Sequence, residues 1–158
     1  MSGGLRFLKI AAGQNHTCGI TTAGRAYCWG ASGTLGSGSG SGALVPVAVN
    51  SVLTFTDITA GLGHSCGVAT GGNAYCWGSN LLGVLGDATI ADGLVVTSPT
   101  LVNSPETLVS INAGDLFTCG VSTTGKTYCW GDARVAKITV TVRPPLAVSG
   151  GLTFRTSR

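Results

Sequence analysis

His64-Ser65-Cys66-Gly67-Val68-Ala69-Thr70-Gly71-Gly72-Asn73-Ala74-Tyr75-Cys76-Trp77-Gly78 reads as two short strands around a tight turn. Neither flank keeps a helical period, and both carry the Val, Tyr and Trp that suit a pleated sheet. The pattern has a counterpart upstream at His16-Thr17-Cys18-Gly19-Ile20, Gly24 and Ala26-Tyr27-Cys28-Trp29-Gly30. It has another downstream at Thr118-Cys119-Gly120-Val121, Gly125 and Thr127-Tyr128-Cys129-Trp130-Gly131. Each copy follows an Ala-Gly pair: Ala12-Gly13, Ala60-Gly61 and Ala113-Gly114.

The glycines fix the hairpin. A three-residue loop with its last residue in the left-handed region favours glycine, which has no Cβ to clash there. Loops at Thr22–Gly24, Thr70–Gly72 and Thr123–Gly125 set Cys18 opposite Cys28, Cys66 opposite Cys76 and Cys119 opposite Cys129. The same register sets Gly19 against Tyr27, Gly67 against Tyr75 and Gly120 against Tyr128, and each tyrosine ring is expected to lie across the bare glycine backbone. A slip of one residue would turn every cysteine to the other face.

Self-similarity organises the chain. It reads as one repeat domain, 1–158, with repeats near 5–50, 51–103 and 104–149. The start of a fourth unit is read at 150–158, where Gly150-Gly151-Leu152-Thr153-Phe154 echoes Gly3-Gly4-Leu5-Arg6-Phe7. The expectation is a longer natural parent.

Composition narrows the class. Charged residues make up 9% of the chain and 26 positions are glycine, so the chain is too apolar for disorder and rich in turns. Gly, Ser, Thr and Asn interrupt every apolar run, so no membrane span is expected. The net charge is +3, but its basic residues are scattered, and no nucleic-acid footprint is read.

The six cysteines occur only as three equally spaced pairs. Three disulfides, each inside one hairpin, are the leading reading, and they imply an oxidising compartment. Met1-Ser2-Gly3-Gly4 leads straight into the first copy without a signal peptide, so a segment of a larger exported protein is expected. Zinc is the first alternative, on His16, Cys18 and Cys28 or on His64, Cys66 and Cys76. Against it, Phe117 replaces the histidine in the third copy and no C-x-x-C occurs. Free thiols buried as small apolar groups are the second alternative.

No enzyme motif emerges. The two histidines, His16 and His64, recur at one repeat position, which favours a structural hydrogen bond to a neighbouring loop. No nucleophile motif surrounds an acid–base pair. The Gly36–Gly42 run lacks the Lys-Ser/Thr of a phosphate loop and reads as a flexible loop. Trp29, Trp77 and Trp130 also recur, which favours packing between units over ligand stacking. No metal or cofactor is expected. Asn15-His16-Thr17 fits an N-glycosylation sequon, a pattern short enough to arise by chance.

From His64 to Asp87, the run His-x-Cys…Gly…Tyr-Cys-Trp-Gly-Ser-Asn-x-x-Gly-x-Leu-Gly-Asp resembles the regulator of chromosome condensation repeat, in the cysteine-bearing form typical of exported bacterial proteins. The resemblance spans nearly the whole chain and implies one four-stranded antiparallel blade per repeat, in a ring that usually has seven. The expected fold is therefore all-β, a partial β-propeller of three blades open to completion by oligomerisation. The first copy departs from the pattern in a Gly/Ser run, Ser37 to Gly42. The third departs by passing from Asp132 into Ala133–Val142 without the Leu-Gly turn.

Three blades cannot close a ring, which predicts association, aggregation or a homo-dimer of six blades. A strand near Leu152–Arg155 could then add to a partner's sheet edge. The functional expectation is a non-catalytic protein-interaction module, exported or on the cell surface. Its specificity is expected in Ser37–Val45 and Ala88–Pro99, where the copies differ most. The resemblance also brings guanine nucleotide exchange on a small GTPase, and secreted inhibition of an enzyme such as a β-lactamase.

Overall fold

A computed structural model describes residues 4–132 and 142–148. The first sheet holds β1 (Phe7–Ala12), β2 (His16–Thr21), β3 (Ala26–Gly30) and β4 (Ala43–Ala48). The second holds β5 (Phe55–Ala60), β6 (His64–Ala69), β7 (Ala74–Ser79) and β8 (Val95–Leu101). The third holds β9 (Leu108–Ala113), β10 (Phe117–Ser122), β11 (Thr127–Gly131) and β12 (Val142–Ala147). Each is a four-stranded antiparallel sheet in chain order, and the three are propeller blades. A 3-10 turn, Leu81–Gly83, lies between β7 and β8. The first and third blades keep their outer strands despite their departures from the repeat. The echo at 150–158 and the strand expected near Leu152–Arg155 lie outside the described residues.

The hairpin register agrees with the sequence. Cys18 pairs with Cys28, Cys66 with Cys76 and Cys119 with Cys129. Gly24, Gly72 and Gly125 have φ of +76°, +90° and +85°. Each donates its N–H to the residue three positions back, closing the loop at 2.8–2.9 Å. The three pairs are disulfides with S–S of 2.11, 2.10 and 2.06 Å.

One packing expectation needs correction. The ring over Gly19 is that of Phe7 on β1, and over Gly67 it is Phe55 on β5; a Cβ on either glycine would come within 2.6 or 2.7 Å of it. In the third blade Leu108 does the same over Gly120. The first strand of each blade therefore supplies the side chain nearest to the glycine, in place of the tyrosine expected there.

Successive blades meet chiefly along their first two strands, β5 packing on β1 and β2, and β9 on β5 and β6, and fan apart outward. The core lies between blades. Cys18, Cys28, Ile20 and Leu35 of the first blade pack against Phe55, Ile58 and Trp77 of the second. One blade further on, Cys66, Cys76, Val68 and Leu85 pack against Leu108, Ile111 and Trp130. Each blade thus has a trailing face built on its disulfide and a leading face built on its isoleucine and tryptophan. Among the described residues no helix is long and apolar enough to cross a membrane.

Candidate functional site

The repeated histidines join blades. His16 Nε2 lies 2.7 Å from Ser65 Oγ on β6, and His64 Nε2 lies 2.9 Å from Thr118 Oγ1 on β10. Ser65 donates onward to the Thr34 carbonyl at 3.3 Å, and Thr118 to the Val84 carbonyl at 3.2 Å. With each hydroxyl hydrogen committed to a carbonyl, the imidazole must donate, so each Nε2 carries a proton. Burial favours the neutral ring. It lowers the pKa of both rings, and that of His64 falls to about 4, with the charge on His16 adding a smaller push. The expected partner was a neighbouring loop; the partner found is a strand hydroxyl of the next blade.

The Ala-Gly pair makes room for the ring. A Cβ on Gly61 would sit 2.4 Å from His64 Cε1, and one on Gly13 would sit 2.9 Å from His16 Cε1. In the third blade Phe117 covers Gly114 in the same way. The aromatic packing is thus common to all three copies, while the donated hydrogen bond belongs to the first two.

A buried Ser–His contact raises the question of nucleophilic catalysis, and its geometry answers otherwise. Ser65 is fully buried, its proton goes to a carbonyl, and His16 Nδ1 has no hydrogen-bond partner. An activated serine needs the imidazole to accept its proton and a third group to orient the ring. The contact is a fastening between blades. Among the described residues no cluster of three or more His, Cys, Asp or Glu could hold a metal.

The inner strands carry a second link that the repeat pattern did not reveal. Asp57 on β5 pairs with Lys9 on β1 and accepts the Ile111 N–H of β9 at 2.9 Å. Thr59 likewise accepts the Ala113 N–H at 2.9 Å. These contacts border an open depression of about 600 Å³ whose lining includes Lys9, Asp57, Ser110 and Asn112. A sequence signal existed: Lys9, Asp57 and Ser110 each stand nine residues before the first cysteine of their copy. Another was the hydroxyl residue before that cysteine, at Thr17, Ser65 and Thr118.

Trp77 and Trp130 are buried against the preceding blade, where Gly36 and Gly86 lie under their indoles. Trp130 Nε1 donates to the Val84 carbonyl at 2.8 Å. Trp29 is only half-buried and tilts against Phe7 at 5.8 Å. The Gly/Ser run read as flexible is instead fastened to the second blade. Gly38 N–H donates to the Thr97 carbonyl of β8 at 2.8 Å, and Asn50 Nδ2 to Ser98 Oγ at 3.1 Å. Within 88–99, Val95 onward is strand. The loop before it hangs on buried Asn80, which donates to the Ile90 and Ala91 carbonyls and accepts the Leu85 N–H.

Hairpins with inter-blade histidines and Leu-Gly turns under tryptophans recur at matched positions, and those positions coincide with a family model. The regulator of chromosome condensation (RCC1) repeat model matches residues 7–36, 55–83 and 108–134. The chain belongs to that repeat family. Among solved structures, Prp20p from Saccharomyces cerevisiae superposes with a TM-score of 0.78 at 20% identity, covering 92% of this chain and 39% of that one. Human WBSCR16 gives 0.78 at 18%, covering 92% and 38%. The ectodomain of the Physcomitrella patens receptor kinase CR4 gives 0.55 at 30%, covering 82% and 29%. The chain spans less than two fifths of the length of these proteins. Comparison with curated protein sequences gives no match.

Proposed function

We propose that this RCC1-repeat chain is a non-catalytic protein-interaction module of a secreted or cell-surface protein. The observation that carries this reading is the oxidised cysteine pair inside each of three blades, since such bridges persist outside the reducing cytosol. The blades supply a stiff frame, and the segments between third and fourth strands are held on it by Gly38 and Asn80. Leu44 and Val45 at the start of β4, with Leu94 and Val95 at the start of β8, are exposed apolar residues on that frame. Such residues suit contact with another protein. The CR4 ectodomain is a receptor portion built on a related frame, which favours the same reading.

Yeast RCC1 (Prp20) is described bound to Kap60, and Prp20p with binding to Gsp1p and histones. Guanine nucleotide exchange on a small GTPase is therefore the second reading. The disulfides weigh against it, because exchange on such GTPases takes place in a reducing compartment.

Two measurements on one preparation decide between them. Protein taken from its native compartment should show no free thiol before reduction and six after it. Release of labelled GDP from a Ran-like GTPase should stay at its unassisted rate. Six reactive thiols in the unreduced protein, together with accelerated release, would install the exchange-factor reading instead.

A further inference from the structure

Arg25, Asn73 and Lys126 each follow the glycine that closes a hairpin, and the main-chain carbonyl of each accepts the N–H of the residue four positions back. Two of these matched positions therefore carry a cation. Lys126 pairs at 2.6 Å with Glu106, which stands two residues before β9. Leu5 holds the corresponding place before β1, and among the described residues Arg25 has no carboxylate partner. Its Nη2 donates instead to the Ser51 carbonyl at 2.7 Å, in the connection from β4 to β5. There it walls an open depression of about 520 Å³ together with Ser37, Asn50 and Val52. Arg25 is half-buried, whereas Val52 is 91% exposed. Asn50 Nδ2 also donates to Ser98 Oγ on β8 at 3.1 Å. The depression thus lies within residues 25–52 and is braced by the second blade, on the side where those two blades meet.

We propose that this depression receives a carboxylate side chain of a partner protein, a contact that rests on the interaction-module reading and adds a second site to it. Leu44 and Val45 open β4, and the depression lies past the other end of that strand. The third blade shows the pairing that a cation at this position makes: a carboxylate, from Glu106. In the first blade that pairing is left to an outside group. A guanidinium is a planar fork of N–H donors that fits a carboxylate with two parallel hydrogen bonds. The bond to Ser51 ties up one donor and holds the side chain at the depression, and Ser37 supplies a hydroxyl there. Val52 offers apolar surface to an aliphatic neighbour of the acidic residue. Exposed Arg6, whose carbonyl accepts the Thr22 N–H of the same hairpin at 3.0 Å, adds positive charge nearby.

The test is a titration of the isotope-labelled chain, followed by NMR at the Arg25 side-chain N–H and the Val52 methyl signals. The probes are three capped peptides, Ala-Leu-X-Leu-Ala, in which X is glutamate, glutamine or phosphoserine. The glutamate peptide should shift both signals saturably at millimolar concentration and bind about tenfold more tightly than the glutamine peptide. Added salt should weaken the glutamate peptide and leave the glutamine peptide unchanged. R25Q should abolish the preference with the circular dichroism unchanged. R25K should keep part of it, because an ammonium retains the charge without the fork. Equal binding of the glutamate and glutamine peptides by the unmodified chain overturns the proposal, as does a preference that R25Q retains. Binding of the phosphoserine peptide alone would make this a phosphate site and overturn it equally. No readout here involves thiols or nucleotide release, so failure of this site is distinct from failure of the interaction-module reading.

Discussion

His64 donates from Nε2 to Thr118 Oγ1 at 2.9 Å across the boundary between the second and third blades, in a site with almost no solvent access. The ring fills the space over Gly61 and satisfies a hydroxyl that already donates to Val84. Packing and hydrogen bonding are therefore separable. H64F keeps an aromatic ring over the glycine, as Phe117 does over Gly114, and should cost about 1–2 kcal/mol for the lost bond. H64A also opens a cavity and should cost about 3–4 kcal/mol. Urea unfolding of the two variants checks the difference; equal losses would mean that the ring's volume contributes nothing.

The same histidine sets an acid limit. Its folded pKa of about 4 lies below the ordinary 6.5, so the unfolded chain binds the proton more readily. Its contribution is complete above pH 6.5 and disappears as pH falls toward 4, for a total of roughly 3 kcal/mol. Glu106 acts in a lower window. Lys126 first, then Thr124, Ser122 and Tyr128, hold its pKa near 2, so its contribution is present above about pH 4.5 and lost toward pH 2. Unfolding midpoints measured against pH should slope between 6.5 and 4, and H64F should flatten that slope. A variant profile parallel to the parent would remove His64 as the cause.

The hairpins were legible because their determinants are local. Gly24, Gly72 and Gly125 force the loop, and once the loop is fixed the cysteines can only face each other. The partners of His16 and His64 were not legible, because Ser65 and Thr118 lie 49 and 54 residues away and hairpin spacing says nothing about which blades touch. The side chain nearest to Gly19 was not legible for a related reason. A two-strand reading sees only Tyr27 opposite Gly19, whereas Phe7 arrives from a third strand whose register is shifted by a bulge. The Gly/Ser run looked flexible by composition, but its backbone N–H at Gly38 finds the exposed strand β8 of the next blade. Asp57 carries no motif, being a lone carboxylate in an apolar strand, although its offset from Cys66 repeats in Lys9 and Ser110.

Gly36 and Gly86 offer a test of how the blades are spaced. Their φ values are +66° and +72°, and an added Cβ would lie 2.7 Å from the Trp77 indole or 2.8 Å from that of Trp130. G86A therefore meets both backbone strain and a ring that is buried with little room to move. A loss of about 2–4 kcal/mol is expected, from the combined costs of overpacking and a disfavoured backbone region. Trp130 should become more exposed, shifting its fluorescence to longer wavelength. A G93A control, at an open position with φ +76° and nothing within 4 Å, isolates the backbone part. If both variants lose the same stability, the indole contact carries none of the cost.

The three disulfides close loops of equal length, each with a sequence separation of 10, so chain entropy gives each a similar contribution of about 2–3 kcal/mol. Their access to a reductant differs. Cys18–Cys28 and Cys66–Cys76 are sealed by the next blade, and a thiolate reaches them only when blades separate. Cys119–Cys129 is half-buried and should be reduced first. Limited reduction followed by alkylation and peptide mass analysis should find label on Cys119 and Cys129 well before the other four. Equal labelling of all six cysteines at every time point would show that reduction requires opening of the whole array, and that neighbouring blades do not control access to the sulfurs.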